Sequence, residues 1–355
     1  MPDDSLHHYL SQQGAQFGGV AGEQVAQNYG DTNAEHLALI ESVALVDLSF
    51  RGCLAVLGDD RVKFINGQVT NEVAGLQSGQ GCYAALVNAK AKMQADLHVY
   101  RLDDELILDF EPGLLDAVTE RLESHVVADQ VELIDASPHF GLLSLQGPKT
   151  ADALASLGLA LPGEPFAHAK SPLDGLGEVY VMNNGRYGTA GCDLYISTGH
   201  LGEAAARLAK AVEGQGGRLA GWQATEIARL EAGIPRFGID MDNKTLPPEA
   251  GLETRAISYT KGCYIGQEII ARIRTYGRVN RTLVGYRLEA DLAPGTQLTD
   301  DSGKTVGTLT SVIESPRFGP IALGLAKRGS ETSGQVLTLR EPVQGQATVA
   351  EIPFR

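Results

Sequence analysis

One order of elements, written twice, constrains this chain more than any other feature. An apolar run at 53–57 ends at Gly58 and feeds a helix at Val62, Lys63, Phe64 and Ile65, behind Asp59 and Asp60 as caps. Strand-like runs follow at 81–87, 94–102 and 105–110, and Pro112 opens a helix reaching about residue 125. After Ser137-Pro138 the rhythm returns: a strand at 140–145 ending at Gln146-Gly147-Pro148, a helix at 149–157, strands at 178–183 and 192–197, and a helix at 203–212. Strands that succeed one another without an intervening helix pair antiparallel, so each repeat is an α+β subdomain and the two are related.

The flanks have a different texture. Residues 1–31 mix Gly, Gln and Asp with few apolar residues and read as a loosely ordered arm, with structure starting just after it. Thr32 and Glu35 have capping-box spacing, and Leu37, Leu39, Ile40, Val43 and Ala44 form an apolar helical stripe. Pro162, Pro165 and Pro172 with Gly163, Gly175 and Gly177 mark a looping connection, and a further helix covers 222–231, ended by Gly233 and Pro235. Beyond Asn280 the pattern is all-β, with strands at 282–288, 306–312 and 321–326 and turns at Pro294-Gly295 and Ser302-Gly303, which predicts a small barrel or sandwich. Forty-two glycines in 355 residues agree with many short elements and tight turns.

Composition narrows the function classes. With 43% apolar and 21% charged residues the chain is core-forming and globular, and a net charge of −15 argues against general nucleic-acid coating. The first 22 residues hold no Lys or Arg and no apolar run, and no stretch has the length of a membrane span, so no membrane association and a cytoplasmic location are expected. Cys53, Cys82, Cys192 and Cys263 are too widely spaced for a zinc site or redox dithiol, so reduced thiols and no metal are expected.

Against the acidic whole, Lys261-Gly262-Cys263-Tyr264-Ile265-Gly266-Gln267-Glu268 stands at the head of a basic run. From Arg255 to Arg281 there are six cations (Arg255, Lys261, Arg272, Arg274, Arg278, Arg281) and one acid, Glu268. Such crowding fits either an anion-binding loop or a solvated basic face paired with acids elsewhere. The loop lies where the α+β part meets the β tail, and junctions of this kind favour ligand sites.

The same eight residues resemble the signature of the YgfZ family of folate-binding proteins, relatives of the glycine-cleavage T-protein that support assembly or repair of iron–sulfur enzymes. The resemblance extends from about Leu37 to the end through Asp47-Leu48-Ser49-Phe50-Arg51-Gly52, Phe64-Ile65-Asn66-Gly67-Gln68-Val69-Thr70-Asn71, Val87-Asn88-Ala89, Ala95-Asp96-Leu97, Leu145-Gln146-Gly147-Pro148, Arg229-Leu230-Glu231-Ala232-Gly233 and Leu246-Pro247-Pro248-Glu249-Ala250. It implies a three-domain ring of T-protein type: a discontinuous first α+β domain (32–50 and 138–278) that binds folate, a second inserted at 51–137, and a C-terminal β-barrel at 279–355. It further implies tetrahydrofolate or a one-carbon derivative as cofactor, and iron–sulfur client or assembly proteins, with tRNA as a possible partner.

Carried over residue by residue, the resemblance puts Asp193 and Arg229 at folate; Tyr264 is an aromatic that could stack on the pterin or a base, with simple packing as its alternative. Asp193 stands where the T-protein has a glutamate, one methylene longer; its bland alternative is a turn cap. Arg229 alternatively pairs with Glu231 or Glu226 on its own helix. Asp96 stands at the proton-accepting position, with Ala95 where the T-protein has a second aspartate, and alternatively pairs with Lys92 or Arg101. Cys263 is the functional thiol, as nucleophile, redox group or transient cluster ligand, unless it is a small buried hydrophobe. Lys261, Gln267, Arg272, Arg274 and Arg278 are the candidate partner or anion contacts, and a pair with Arg272 is the simplest role for Glu268. Two further activities stay open: a folate-dependent aminomethyltransferase, and an RNA-binding modification factor.

Overall fold

The computed structural model describes residues 4–277, 279–290, 292–339 and 345–355. The chain divides into two compact units, one of Met1–Ala84 with Leu97–Ala228 and one of Ala85–Asp96 with Arg229–Arg355.

The first unit opens with α1 (Asp4–Gln12) and a hairpin of β1 (Gln16–Val20) and β2 (Glu23–Asn28), followed by α2 (Thr32–Glu41), β3 (Ala44–Asp47), β4 (Gly52–Leu57) and α3 (Arg61–Gln68). Three successive strands come next, β5 (Gln80–Val87), β6 (Met93–Arg101) and β7 (Leu106–Phe110); residues 85–96, around the tip of the β5–β6 hairpin, belong to the second unit. The chain continues through α4 (Leu115–Glu123), β8 (Glu132–Asp135), β9 (Phe140–Gln146), α5 (Thr150–Ala155), β10 (His168–Leu173), β11 (Gly177–Asn183), β12 (Gly191–Ser197), α6 (Leu201–Gly214), β13 (Arg218–Leu219) and α7 (Trp222–Glu231). Two sheets result. One has five strands in the order β5-β6-β7-β4-β8, and the other six in the order β10-β11-β12-β9-β3-β13.

Periodicity explains how the layers stack. Leu201, Ala204, Ala205, Leu208, Ala209 and Val212 recur at helical spacing on α6 and join Cys192, Leu194 and Ile196 from one face of β12 in a core between helix and sheet. Tyr195 and Met182 point to the opposite face, where they meet Cys53, Ala55, Tyr100 and Ile107 of the five-stranded sheet. Alternation in β12 therefore serves two cores at once, which is why the strand is buried over nearly its whole length.

In the second unit, α8 (Glu253–Ala256) and α9 (Gln267–Tyr276) precede a closed barrel of β14 (Arg281–Leu288), β15 (Gln297–Thr299), β16 (Thr305–Ser315), β17 (Gly319–Lys327), β18 (Val336–Leu339) and β19 (Gln346–Ala350). Closure removes the sheet edges that such short strands would otherwise expose. The fold class, α+β with a C-terminal β-barrel, is the expected one.

Several local readings change. The N-terminal arm is folded: Leu6 and Leu10, one helical turn apart on α1, are buried in the α6 core. A Cβ on Gly202 would come within 2.8 Å of the Ser5 backbone, so α1 and α6 meet at a glycine. Asp31, not Thr32, caps α2, accepting the Ala34 N–H at 3.0 Å. Glu35 is buried and accepts the backbone N–H groups of Tyr29 and Gly221. Asp60 leaves its helix uncapped and accepts the Gln130 N–H instead. Ala44 begins β3 rather than ending a helix, and the Pro-rich connection contains β10, an edge strand, where Pro172 is tolerated.

Candidate functional site

Three groups of polar residues stand out, one in the first unit and two in the second. In the first unit, β6 and β7 place His98 directly opposite Asp109 in register. Asp109, on a fully paired strand, is 1% exposed and accepts from three directions: Arg51 Nε at 2.7 Å, Arg186 Nη2 at 2.6 Å and His98 Nδ1 at 2.9 Å. Arg51, just ahead of β4, also reaches Glu111 at 2.6 Å. Arg186, in the β11–β12 connection, also donates to Asp193, with Nε at 2.9 and 3.0 Å and with the same Nη2 that meets Asp109 at 2.6 Å. Asp193 is fully buried and also accepts from Ser144 Oγ at 2.7 Å and Asn184 Nδ2 at 2.9 Å. Asn184 bonds the Tyr100 hydroxyl as well.

Burial alone would push the Asp109 carboxyl up, but Arg186, Arg51 and His98 outweigh it and hold it well below the usual carboxylate range. Burial also pulls the His98 imidazole down, more than its bond to Asp109 raises it. The cluster is a bridge of charge between the two sheets, with Arg186 as its middle member. The sequence reading found Asp193 but missed Arg51, His98, Asp109 and Arg186. For His98 and Asp109 the signal, polar residues inside otherwise apolar strands, was present but could not be paired without the register; Arg51 and Arg186 lie outside the strands and carried no such signal.

In the second unit the signature loop rests on the β5–β6 turn. Asn88 Oδ1 accepts the N–H groups of Lys90 and Lys92, and Ala91 N–H returns to Asn88 O at 2.8 Å. Ala91 has φ of 56° and packs with Ile257, Tyr264 and Ile270. Gly266 has φ of 83°, and a Cβ there would meet Asn88 O at 2.8 Å. Only glycine lets the loop lie this close before α9 begins. Glu249, from the Pro-Pro-Glu segment, accepts from Leu246 N–H at 2.9 Å and pairs with Arg281 at 3.3 Å and Lys92 at 3.9 Å. Three motifs separate in sequence are thus one substructure.

Within it Cys263 is exposed, whereas Cys53, Cys82 and Cys192 are buried. Burial pushes the Cys53 and Cys192 thiols far up, so they stay protonated. Tyr264 is 8% exposed, its hydroxyl is pushed up to about 12 by burial, and the Lys261 ammonium lies 5.0 Å from its ring centre. Gln267 begins α9, its backbone N–H bonding Tyr264 O at 3.2 Å. Arg272 pairs with Glu268 one turn before it, as the spacing suggested. Arg274 stacks on Tyr259 at 4.0 Å. Arg278 lies outside the described residues.

Arg229 belongs to a different cluster of the second unit. Its Nη1 meets Asp240 at 2.6 Å and its Nη2 meets Ser311 Oγ at 2.9 Å, while Glu231 pairs with Arg317 and Ser315. Ser311 and Thr310 also donate to Asp240, tying the end of α7 to β16. Asp96 is half-buried on the face of β6 that carries Gln94 and His98, while Lys92 turns to Glu249 and Arg101 to the Leu76 carbonyl.

These positions bear on folate. The Asp193 carboxylate and Arg229 guanidinium are buried and engaged by the chain's own groups, so either would have to break those bonds to touch a ligand directly. A cleft lined by Cys53, Glu105, Ile107, Met182 and Tyr195 among others admits about one water and is too small for a pterin. Ligand-facing groups are instead to be sought among partly exposed residues such as Asp96 and His98. Among the described residues no helix is long and apolar enough to cross a membrane.

Comparison with known proteins agrees with this architecture. Residues 6–261 match the model of the GCVT N-terminal domain. A chloroplastic Arabidopsis thaliana protein named "Putative transferase At1g60990" is 30% identical over 98% of this chain and 79% of its own length. The aminomethyltransferase of Rubrobacter xylanophilus is 28% identical, with 96% of this chain and 91% of its own covered. The crystal structure of glycine cleavage system aminomethyltransferase T from Bartonella henselae superposes with a TM-score of 0.88 at 26% identity, over 99% of this chain and 97% of that one. The family model spans more than half of the chain, and the chain belongs to the GCVT-domain family of aminomethyltransferase-like proteins.

Proposed function

We propose that this protein binds a reduced folate and acts in one-carbon transfer of the aminomethyltransferase type. The observation that carries the reading is the similarity to aminomethyltransferase T along the whole chain rather than over one domain. Bound folate would supply the nitrogen that carries the one-carbon unit. Asp96 is the residue for proton transfer: it lies half-buried on β6, directly before the residues that pair with β7, and a carboxylate so placed combines solvent contact with a fixed direction. Asp193 and Arg229 support the surrounding architecture in this reading. Titration calorimetry of tetrahydrofolate against the purified protein, followed by turnover with an aminomethyl donor, tests it. Saturable binding is expected, with turnover lost in Asp96→Asn; absence of binding overturns the reading.

A second reading is favoured by one observation, the exposure of Cys263 on a loop whose backbone is fixed by Gly266 and the β5–β6 turn. In it the protein is a folate-binding accessory factor for iron–sulfur enzymes, as in the YgfZ family, and Cys263 makes the partner contact. Full support of iron–sulfur enzyme activity in cells by Cys263→Ala would remove it.

A further inference from the structure

The pair His98–Asp109 has a feature that a purely structural ion cluster does not need. Asp109 is ionised under its two arginines, so it can only accept, and His98 Nδ1 must carry the proton in their 2.9 Å bond. A neutral ring then has its lone pair on Nε2, which makes no hydrogen bond to any described residue. That nitrogen is not among the fully enclosed side-chain atoms that lack a partner, so it is open to an incoming donor. Asp109 does not require the histidine, since Arg51 and Arg186 already hold both of its oxygens. The ring is not sealed either: its side chain is 14% exposed, against 1% for Asp109. Around it stand Tyr83 at 5.2 Å, Phe166 at 5.6 Å and Tyr100 at 6.4 Å between ring centres. Such surroundings suit a flat, uncharged ring with an N–H to give, and the neighbouring arginines disfavour a cation.

We propose that His98 is a ligand-contacting residue, held by Asp109, whose Nε2 accepts an N–H from the heterocycle of a reduced folate. This rests on the folate reading above. The charged and titratable groups facing the imidazole are Asp109 from β7, Arg51 from the start of β4, Arg186 from the β11–β12 connection, Tyr83 from β5 and Tyr100 on its own strand. Protonation of the ring removes the acceptor. Since burial lowers the imidazole from 6.5, affinity falls only below that pH.

The test is the affinity of the full chain for tetrahydrofolate between pH 5 and 8 in wild type, His98→Phe and His98→Gln, with unfolding midpoints recorded alongside. The expected result is weakening by about tenfold in His98→Phe, the equivalent of one hydrogen bond. His98→Gln keeps an acceptor but cannot titrate, so it should recover part of the affinity and lose the acid-side decline. Should His98→Phe fail to fold, the flattened profile of His98→Gln decides alone. Wild-type affinity and an unchanged profile in the variants overturn the role of His98 while leaving the folate reading intact; no binding by wild type overturns both.

Discussion

The charge bridge of the first unit and the signature loop of the second use ionisable residues in opposite ways. In the bridge, Arg186 is placed between Asp109 and Asp193, all three are almost wholly buried, and each charge is answered by another at hydrogen-bond distance. In the loop, Arg272 and Glu268 form a pair in open solvent, Lys261 leans on an aromatic ring, and the Cys263 thiol faces outward. The contrast sets two roles apart: satisfied buried charges hold the sheets in place, and the functional roles proposed above fall on groups left partly uncovered, Cys263, Asp96 and His98.

The sharpest way to break this contrast is Arg186→Met. It leaves two carboxylates buried without their shared cation, and a loss of about 3–5 kcal/mol is expected in urea unfolding. An unchanged midpoint would mean that apolar packing alone joins the sheets. Acid should act on the same bridge more gently. His98 has a lowered pKa in the fold, so below 6.5 the unfolded chain binds the extra proton and stability declines as pH falls toward the folded value. Asp109 is also lowered, so its contribution is present above the unfolded value of 3.8 and is lost on further acidification through its folded pKa. Urea midpoints from pH 8 to pH 3 should therefore fall in two stages, and a flat profile would count against the bridge.

For the loop the expected effects are smaller. Gly266→Ala places a Cβ against Asn88 O and a side chain at positive φ, and should cost about 1–3 kcal/mol while raising hydrogen exchange at the β5–β6 turn. Protection equal to wild type there would show that the loop is not seated on the turn. Cys263→Ala should change stability by less than about 0.5 kcal/mol. In the native wild type one thiol per chain should react with a maleimide, and none in that variant; rapid labelling of a second cysteine would remove the distinction between exposed and buried thiols.

Much of the architecture was legible in the residues. The 3.6-residue spacing on α6, the alternation in β6 and β12 and the short strands after Asn280 are local patterns, and local patterns survive without knowledge of neighbours. The folded N-terminal arm was not legible, because Leu6 and Leu10 are too few to mark a helix until α6 supplies the surface that buries them. The strand β3 was hidden for a similar reason, its four residues continuing the apolar stripe of α2.

For the candidate site the division is sharper. Sequence by itself determined the residues of the run 261–268, the acid at position 96, the thiol at 263 and the Glu268–Arg272 pair, all set by residue type or by spacing within one helix. Only tertiary structure decided that Arg229 meets Asp240 and Ser311, that Arg186 joins Asp193 to Asp109, and that Cys263 alone among the four cysteines is exposed. Those outcomes depend on strand register and on layers built from residues tens of positions apart, which set both the partner and the burial of each charge.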